Sequence, residues 1–258
     1  MSTFFELLVA GEREIYARSA AQAFFKEIDR LERLFSRFDP GSEISMINRL
    51  RVGEPLPIGV ATYECLKMSF ELMVETGGAF NINFRAIKNK QVAGGGGSNK
   101  STDGTLNSAR SGDSQDDKIN RAVSKSKSII RSQQKQQLEQ DPWAELFPLE
   151  LIETQSQYLA LRLEESTYGL DLDLGAIGKG YALEAAAAHL SSWEIDSFLA
   201  NAGQSTVLAR GKEAWEVTVG GGFDFLKPGR VGLKNRALSG SGHEVKGEHI
   251  YDPRGRQS

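Results

Sequence analysis

The residues best placed to do chemistry lie in the stretch Asp173-Leu-Gly-Ala-Ile-Gly-Lys-Gly180. Its glycines permit close backbone approach and positive φ. The helix expected after it offers free N–H groups and a positive dipole end to an anion. Lys179 adds a formal charge there, and Asp173 can accept hydrogen bonds from a nucleotide or reach a cation. The same pattern also suits a purely structural turn, and its glycine spacing is not that of a dinucleotide fingerprint. Three further stretches stand out: Thr76-Gly-Gly-Ala79-Phe80-Asn81, Asn201-Ala-Gly203 and Ser239-Gly-Ser-Gly242. Each taken alone reads as a turn. His249, in His249-Ile-Tyr251-Asp-Pro253, is the histidine that stands beside such a turn and an acidic residue. His189 lies in an alanine-rich run and reads as packing, while His243 is undecided.

Other candidates carry less. Gly94-Gly-Gly-Gly-Ser-Asn99-Lys100-Ser101 comes near a phosphate-binding loop, but Asn99 stands where the second glycine is needed and no strand precedes it. The single cysteine, Cys65, excludes an internal disulfide and reads as a small buried apolar group. With three histidines, none at a ligand spacing from it, a Cys/His zinc site is not expected.

The elements that must position these residues follow from periodicity. Phe4 to Val9 suits a strand. Phe24, Ile28, Leu31, Phe35 and Phe38 recur at helical spacing and predict one buried face, stopped by Asp39-Pro40. Ser42 is placed to cap a short helix ending at Asn48, and a longer helix over 62–76 ends at Gly77-Gly78. Residues 91–140 are rich in Gly, Ser, Gln, Lys and Asp and poor in aromatics, the composition of a flexible insertion or linker. Leu159, Leu161 and Leu163 alternate with polar or small residues as in a half-buried strand. A helix over 181–190 and strands at 198–200, 207–208 and 215–219 complete the pattern. The expected architecture is α+β with mixed or antiparallel sheets. The expected division is an N-terminal part (1–90), the insertion (91–140) and a nucleotide-binding part (141–258).

Composition bounds the partners. The chain has 258 residues, 40% hydrophobic and 25% charged, with a net charge of −3. That balance gives no electrostatic reason to expect nucleic acid. No run approaches the roughly 18 apolar residues of a membrane span. The N-terminus reads as a strand and not as a signal peptide, so the expected location is cytoplasmic, an exported mature form being the alternative.

Taken in order, the motifs resemble the FAD:protein FMN transferases, the ApbE-type flavin transferases. The matching pieces are Phe35-Ser-Arg-Phe-Asp-Pro-Gly-Ser-Glu-Ile-Ser-Met-Ile-Asn48, Thr76-Gly-Gly-Ala-Phe80, and Asp173-Leu-Gly-Ala-Ile-Gly-Lys-Gly-Tyr-Ala182. Asn201-Ala-Gly203, Ala237-Leu-Ser-Gly-Ser-Gly242 and His249-Ile-Tyr-Asp-Pro-Arg-Gly255 follow. The resemblance implies that FAD and Mg²⁺ are bound and that FMN moves to a Ser or Thr hydroxyl of a partner protein with release of AMP. It implies that Ala79, Phe80, Asn81, Asp173 and Lys179 touch the flavin nucleotide and that the backbone at Tyr251 closes the site. The carbonyl of Ala176 would be a metal ligand, and His249 would assist the hydroxyl attack. Asn81, Gln204 and Gly255 depart from the family pattern, which has Asp, Gly and Thr there. The family also places an Asp and a Thr, four apart, after the point where this sequence ends at Ser258. The expectation is therefore slow or absent transfer by this chain, with a relative that binds FAD or an adenine nucleotide without catalysis as the alternative.

Overall fold

The computed structural model describes residues 3–93, 147–163, 168–203, 205–220 and 228–241, with 91–93 by backbone alone. The expected insertion at 91–140 lies outside the described residues from 94 onward. The described residues form two compact units, one of 3–46 with 173–241 and the other within 47–172.

In the first unit, β1 (Phe5–Val9) leads into α1 (Glu14–Phe35), whose buried face is Ala20, Phe24, Ile28, Leu31 and Phe35. Burying a Phe or Leu side chain stabilises by about 1.5–3 kcal/mol, so this stripe fixes the helix. The stripe stops one step sooner than the spacing predicts, for Phe38 is 76% exposed. The reason is Ser36: its backbone is extended at the helix end, and its Oγ accepts N–H bonds from Phe38 and Asp39. Its carbonyl accepts the hydroxyls of Ser42 and Ser45. Ser42 Oγ also accepts the Ser45 N–H at 3.0 Å, the expected cap of α2 (Glu43–Asn48).

The second unit holds β2 (Pro55–Ile58), α3 (Val60–Glu75), α4 (Phe84–Ala93), β3 (Leu149–Glu153) and β4 (Tyr158–Arg162). Its sheet has the order β2-β4-β3, antiparallel throughout. The alternation expected around β4 is corrected: Leu159, Ala160 and Leu161 are all buried, because β4 is the central strand and α3 packs against it. Cys65, on α3, is fully buried, and burial pushes its thiol up to about 12.

Returning to the first unit, a single 3₁₀ turn (Leu174–Ala176) precedes α5 (Gly178–Ser192), which packs along α1. The facing residues Ala182, Ala186 and Ala187 are buried, and their small size lets the two helices approach. Then come β5 (Phe198–Ala202), β6 (Thr206–Arg210), β7 (Trp215–Val219), β8 (Gly229–Leu233) and β9 (Arg236–Ser239). One antiparallel sheet has the order β1-β5-β6-β9, and β7 pairs with β8 alone. The α+β class with antiparallel sheets is as expected; β2, β3, β8, β9 and α4 were not legible from periodicity.

Candidate functional site

Within the first unit, the nucleotide-type turn is built around one carboxylate. Asp173 stands in extended conformation before the 3₁₀ turn, and its Oδ1 accepts the Gly175 N–H at 2.9 Å. A Cβ at Gly175 would lie 3.0 Å from that oxygen, a tight contact that glycine avoids. Oδ2 meets Arg37 Nε at 3.2 Å, and the Arg37 guanidinium lies over the Phe38 ring, 4.1 Å from its centre. Lys179 Nζ donates to the Gly175 carbonyl at 3.3 Å. Ala176 and Gly180 are exposed, while Gly178 is buried in the first turn of α5. Behind it, Tyr181 packs edge-on against Phe35, with ring centres 5.6 Å apart.

The positive φ expected at this turn is corrected. Gly175, Gly178 and Gly180 all avoid the left-handed region. They serve close approach and early helix entry, and α5 starts three residues sooner than predicted because Gly178 and Gly180 are helical.

Two other motifs share one end of the four-stranded sheet of this unit. Gly203 has φ +63° and its N–H donates to the Phe4 carbonyl at 2.8 Å. A Cβ there would crowd Thr3 Oγ1, and the positive φ strains any side chain at this position. Asn201 Nδ2 donates to Glu6 Oε2 at 3.1 Å. Ser239 Oγ and the Gly240 N–H both donate to the Ser205 carbonyl, at 3.1 and 2.9 Å. His189 is corrected from packing: it is half-exposed on α5, with Nε2 3.8 Å from Glu27 Oε2.

In the second unit, α3 ends as predicted. Gly77 and Gly78 take φ +55° and +82°, and the Gly78 N–H donates to the Met73 carbonyl at 2.8 Å. Thr76 Oγ1 donates to the Leu72 carbonyl and accepts the Phe80 N–H at 3.0 Å, which fixes the loop carrying half-buried Ala79 and Phe80. Asn81 is 7% exposed; its Oδ1 accepts the Asn83 N–H at 2.7 Å. Its Nδ2 is buried with no hydrogen-bond partner among the described residues.

Periodicity missed two asparagines of this unit. Asn83 Nδ2 donates to the Gly169 carbonyl at 3.0 Å and its Oδ1 accepts the Asp171 N–H at 2.8 Å. Asn48 does the same for Leu172, donating to its carbonyl and accepting its N–H. An asparagine directly after an apolar residue, as in Ile47-Asn48 and Ile82-Asn83, was the available signal.

Of the residues the resemblance nominates, Asp173, Ala176 and Lys179 share one turn of the first unit. Ala79, Phe80 and Asn81 share one loop of the second. His249 and Tyr251 lie outside the described residues, as does His243. Mg²⁺ takes near-octahedral oxygen coordination. Near Ala176 the turn provides its carbonyl and the Asp173 carboxylate, and the latter is already held by Arg37 and the Gly175 N–H. Among the described residues no three His, Cys, Asp or Glu side chains gather into a metal-type cluster. The described donors do not by themselves fit the ion. No described helix is long and apolar enough to cross a membrane.

Comparisons with known proteins bear on the fold and the family. A search of curated protein sequences finds no match. Solved structures do match: an ApbE protein of Thermotoga maritima has a TM-score of 0.63 at 20% identity, covering 98% of this chain and 74% of that one. The flavin transferase ApbE of Vibrio cholerae has a TM-score of 0.62 at 18% identity, with the same coverage. The apo flavinyl transferase ApbE of Pseudomonas stutzeri gives 0.58 at 16%, again over 98% and 74%. At these identities the likeness speaks for the fold. The sequence profile of the ApbE family matches residues 1–257, and the chain therefore belongs to the ApbE family.

Proposed function

We propose that this chain is a flavin transferase that uses FAD as its donor and a Ser or Thr hydroxyl of a partner protein as its acceptor. Family membership and the likeness to two structures named as flavin transferases support the reading. The observation that carries it is the turn 174–176 before α5, exposed at Gly175 and Ala176, with Lys179 reaching back to the Gly175 carbonyl. Such a turn suits a diphosphate, because helix N–H groups and a lysine both favour negative charge. Ala79, Phe80 and Asn81 are proposed to hold the flavin nucleotide, and the buried, unpartnered Nδ2 of Asn81 is a donor suited to a ligand oxygen. Tyr251 is proposed to contribute its backbone.

In the reaction proposed, the acceptor oxygen attacks the phosphorus of the FMN half. The new P–O bond forms as the bond to the AMP oxygen breaks, and AMP leaves with that electron pair. The hydroxyl proton passes to His249, the proposed base. Mg²⁺, with the Ala176 carbonyl as one ligand, belongs to the reading as the resemblance implies it. The reading also places the protein in the cytoplasm, without nucleic acid or a membrane span. The commitment of Asp173 to Arg37 favours one second reading, that the chain binds FAD without turning it over.

The test is to incubate the chain with FAD, Mg²⁺ and a peptide bearing an acceptor Ser or Thr. Covalent FMN is followed by mass spectrometry and AMP by chromatography. Any transfer measured is expected to fall at least about a hundredfold in His249→Ala, in keeping with the usual weight of general base catalysis. FAD binding without AMP release selects the second reading, and absence of FAD binding overturns both.

A further inference from the structure

We propose that Arg37 is a positioning residue for the nucleotide turn. It locks the Asp173 carboxylate in place and cancels its charge beside the phosphate-binding groups. The inference rests on the reading that this turn binds FAD.

The geometry is a relay of short contacts within the first unit. Asp173 presents two oxygens, and the last torsion of an aspartate is broad and nearly two-fold. Oδ1 holds the Gly175 N–H at 2.9 Å, and Oδ2 is held by Arg37 Nε at 3.2 Å. With both oxygens engaged, the carboxylate plane is fixed. Gly175 is gripped on its other side too, since its carbonyl accepts from Lys179 Nζ at 3.3 Å. Lys179 thus meets the carbonyl of the same residue whose N–H Asp173 holds, and Asp173 is held by Arg37.

Arg37 is itself supported. Its guanidinium lies over the Phe38 ring, and the backbone that carries both is pinned by the Ser36 hydroxyl. The Arg37 and Asp173 side chains are 24% and 22% exposed, so solvent screens their attraction only in part. The electrostatic consequence is specific. With the pair intact, Lys179 and the helix dipole leave the turn positive. Without Arg37, an uncompensated carboxylate stands at the place where a diphosphate would bind.

The substitution Arg37→Gln keeps a flat polar side chain on Phe38 and removes the charge. It is expected to weaken FAD binding about tenfold, on the scale of a charge-assisted contact. Arg37→Lys, which keeps the charge, is expected to recover most of that loss. Asp173→Asn retains an oxygen for the Gly175 N–H and removes the negative charge. The double variant Arg37→Gln/Asp173→Asn is therefore expected to bind FAD more tightly than Arg37→Gln alone. A merely structural role would leave the Arg37→Gln defect unchanged as salt rises, whereas the effect of an uncompensated carboxylate shrinks with screening. Dissociation constants come from flavin fluorescence titration, with circular dichroism melts confirming folded protein. If Arg37→Gln does not fold, Arg37→Lys with and without Asp173→Asn carries the same comparison. A wild type that binds FAD, with Arg37→Gln binding equally well or Asp173→Asn worsening its defect, overturns this inference alone. A wild type that does not bind FAD overturns the functional reading and this inference with it.

Discussion

Asn81 and Lys179 pose opposite problems to the physical chemist. The Asn81 Nδ2 is buried without a partner among the described residues, and leaving such a donor unmet costs about 1–3 kcal/mol. Lys179 already meets a carbonyl, so its value to a ligand is the charge it brings and not a vacant donor. If the turn holds a diphosphate, Lys179→Ala is expected to weaken FAD binding about ten- to hundredfold. An unchanged dissociation constant in fluorescence titration would remove the lysine from the site. Lys179 was legible because it follows a glycine at a helix start, a pairing with a local meaning. Arg37 was not: its partner Asp173 is far along the chain, and no local spacing links the two. The motif 35–48 was visible as a string, but what its arginine touches is a tertiary fact.

At the scale of elements, the segment 169–172 has no regular secondary structure and belongs to none of the sheets. Asparagine amides stand in for the missing neighbouring strand, each offering one donor and one acceptor to the backbone. Asn83 is fully buried, so Asn83→Ala leaves the Gly169 carbonyl and the Asp171 N–H short of a partner. A loss of about 1–3 kcal/mol in unfolding free energy is expected, read from urea titration. A variant as stable as the wild type would mean that water replaces the amide at no cost. Helices α1 and α3 were readable because their apolar period and stop signals are local. The strands β2 and β9 were not, since Pro55-Leu-Pro-Ile58 and Arg236-Ala-Leu-Ser239 are short and carry little alternation. Tertiary pairing decides them.

For the whole molecule, the order of the chain and the order of the structure differ. Residues 3–46 belong with 173–241, so the turn 173–180 and α1 are neighbours in one unit although distant in sequence. Their packing carries a pH signature. Glu27 on α1 is held below the usual carboxylate range, first by its hydrogen bonds from Arg30, then by the charges of Arg30 and His189 against an opposing cost of burial. A lowered folded value means stability that is present above the unfolded value and lost as pH falls through the folded one. Glu27→Gln is therefore expected to lower stability near neutrality by about 0.5 kcal/mol, the worth of such a pair on a helix. The gap to wild type should hold down to the ordinary carboxylate range and close below it. Urea midpoints across that range check it, and a gap that does not change with pH would point to packing instead. Cys65 offers a different kind of consequence. The chain's one thiol is sealed in α3 and kept protonated, so maleimide and iodoacetamide reagents have little to react with in the folded protein. The native sequence is thus already a silent background for site-directed labelling. Ala188→Cys, on the exposed face of α5, would take a single dye with no native cysteine to remove first.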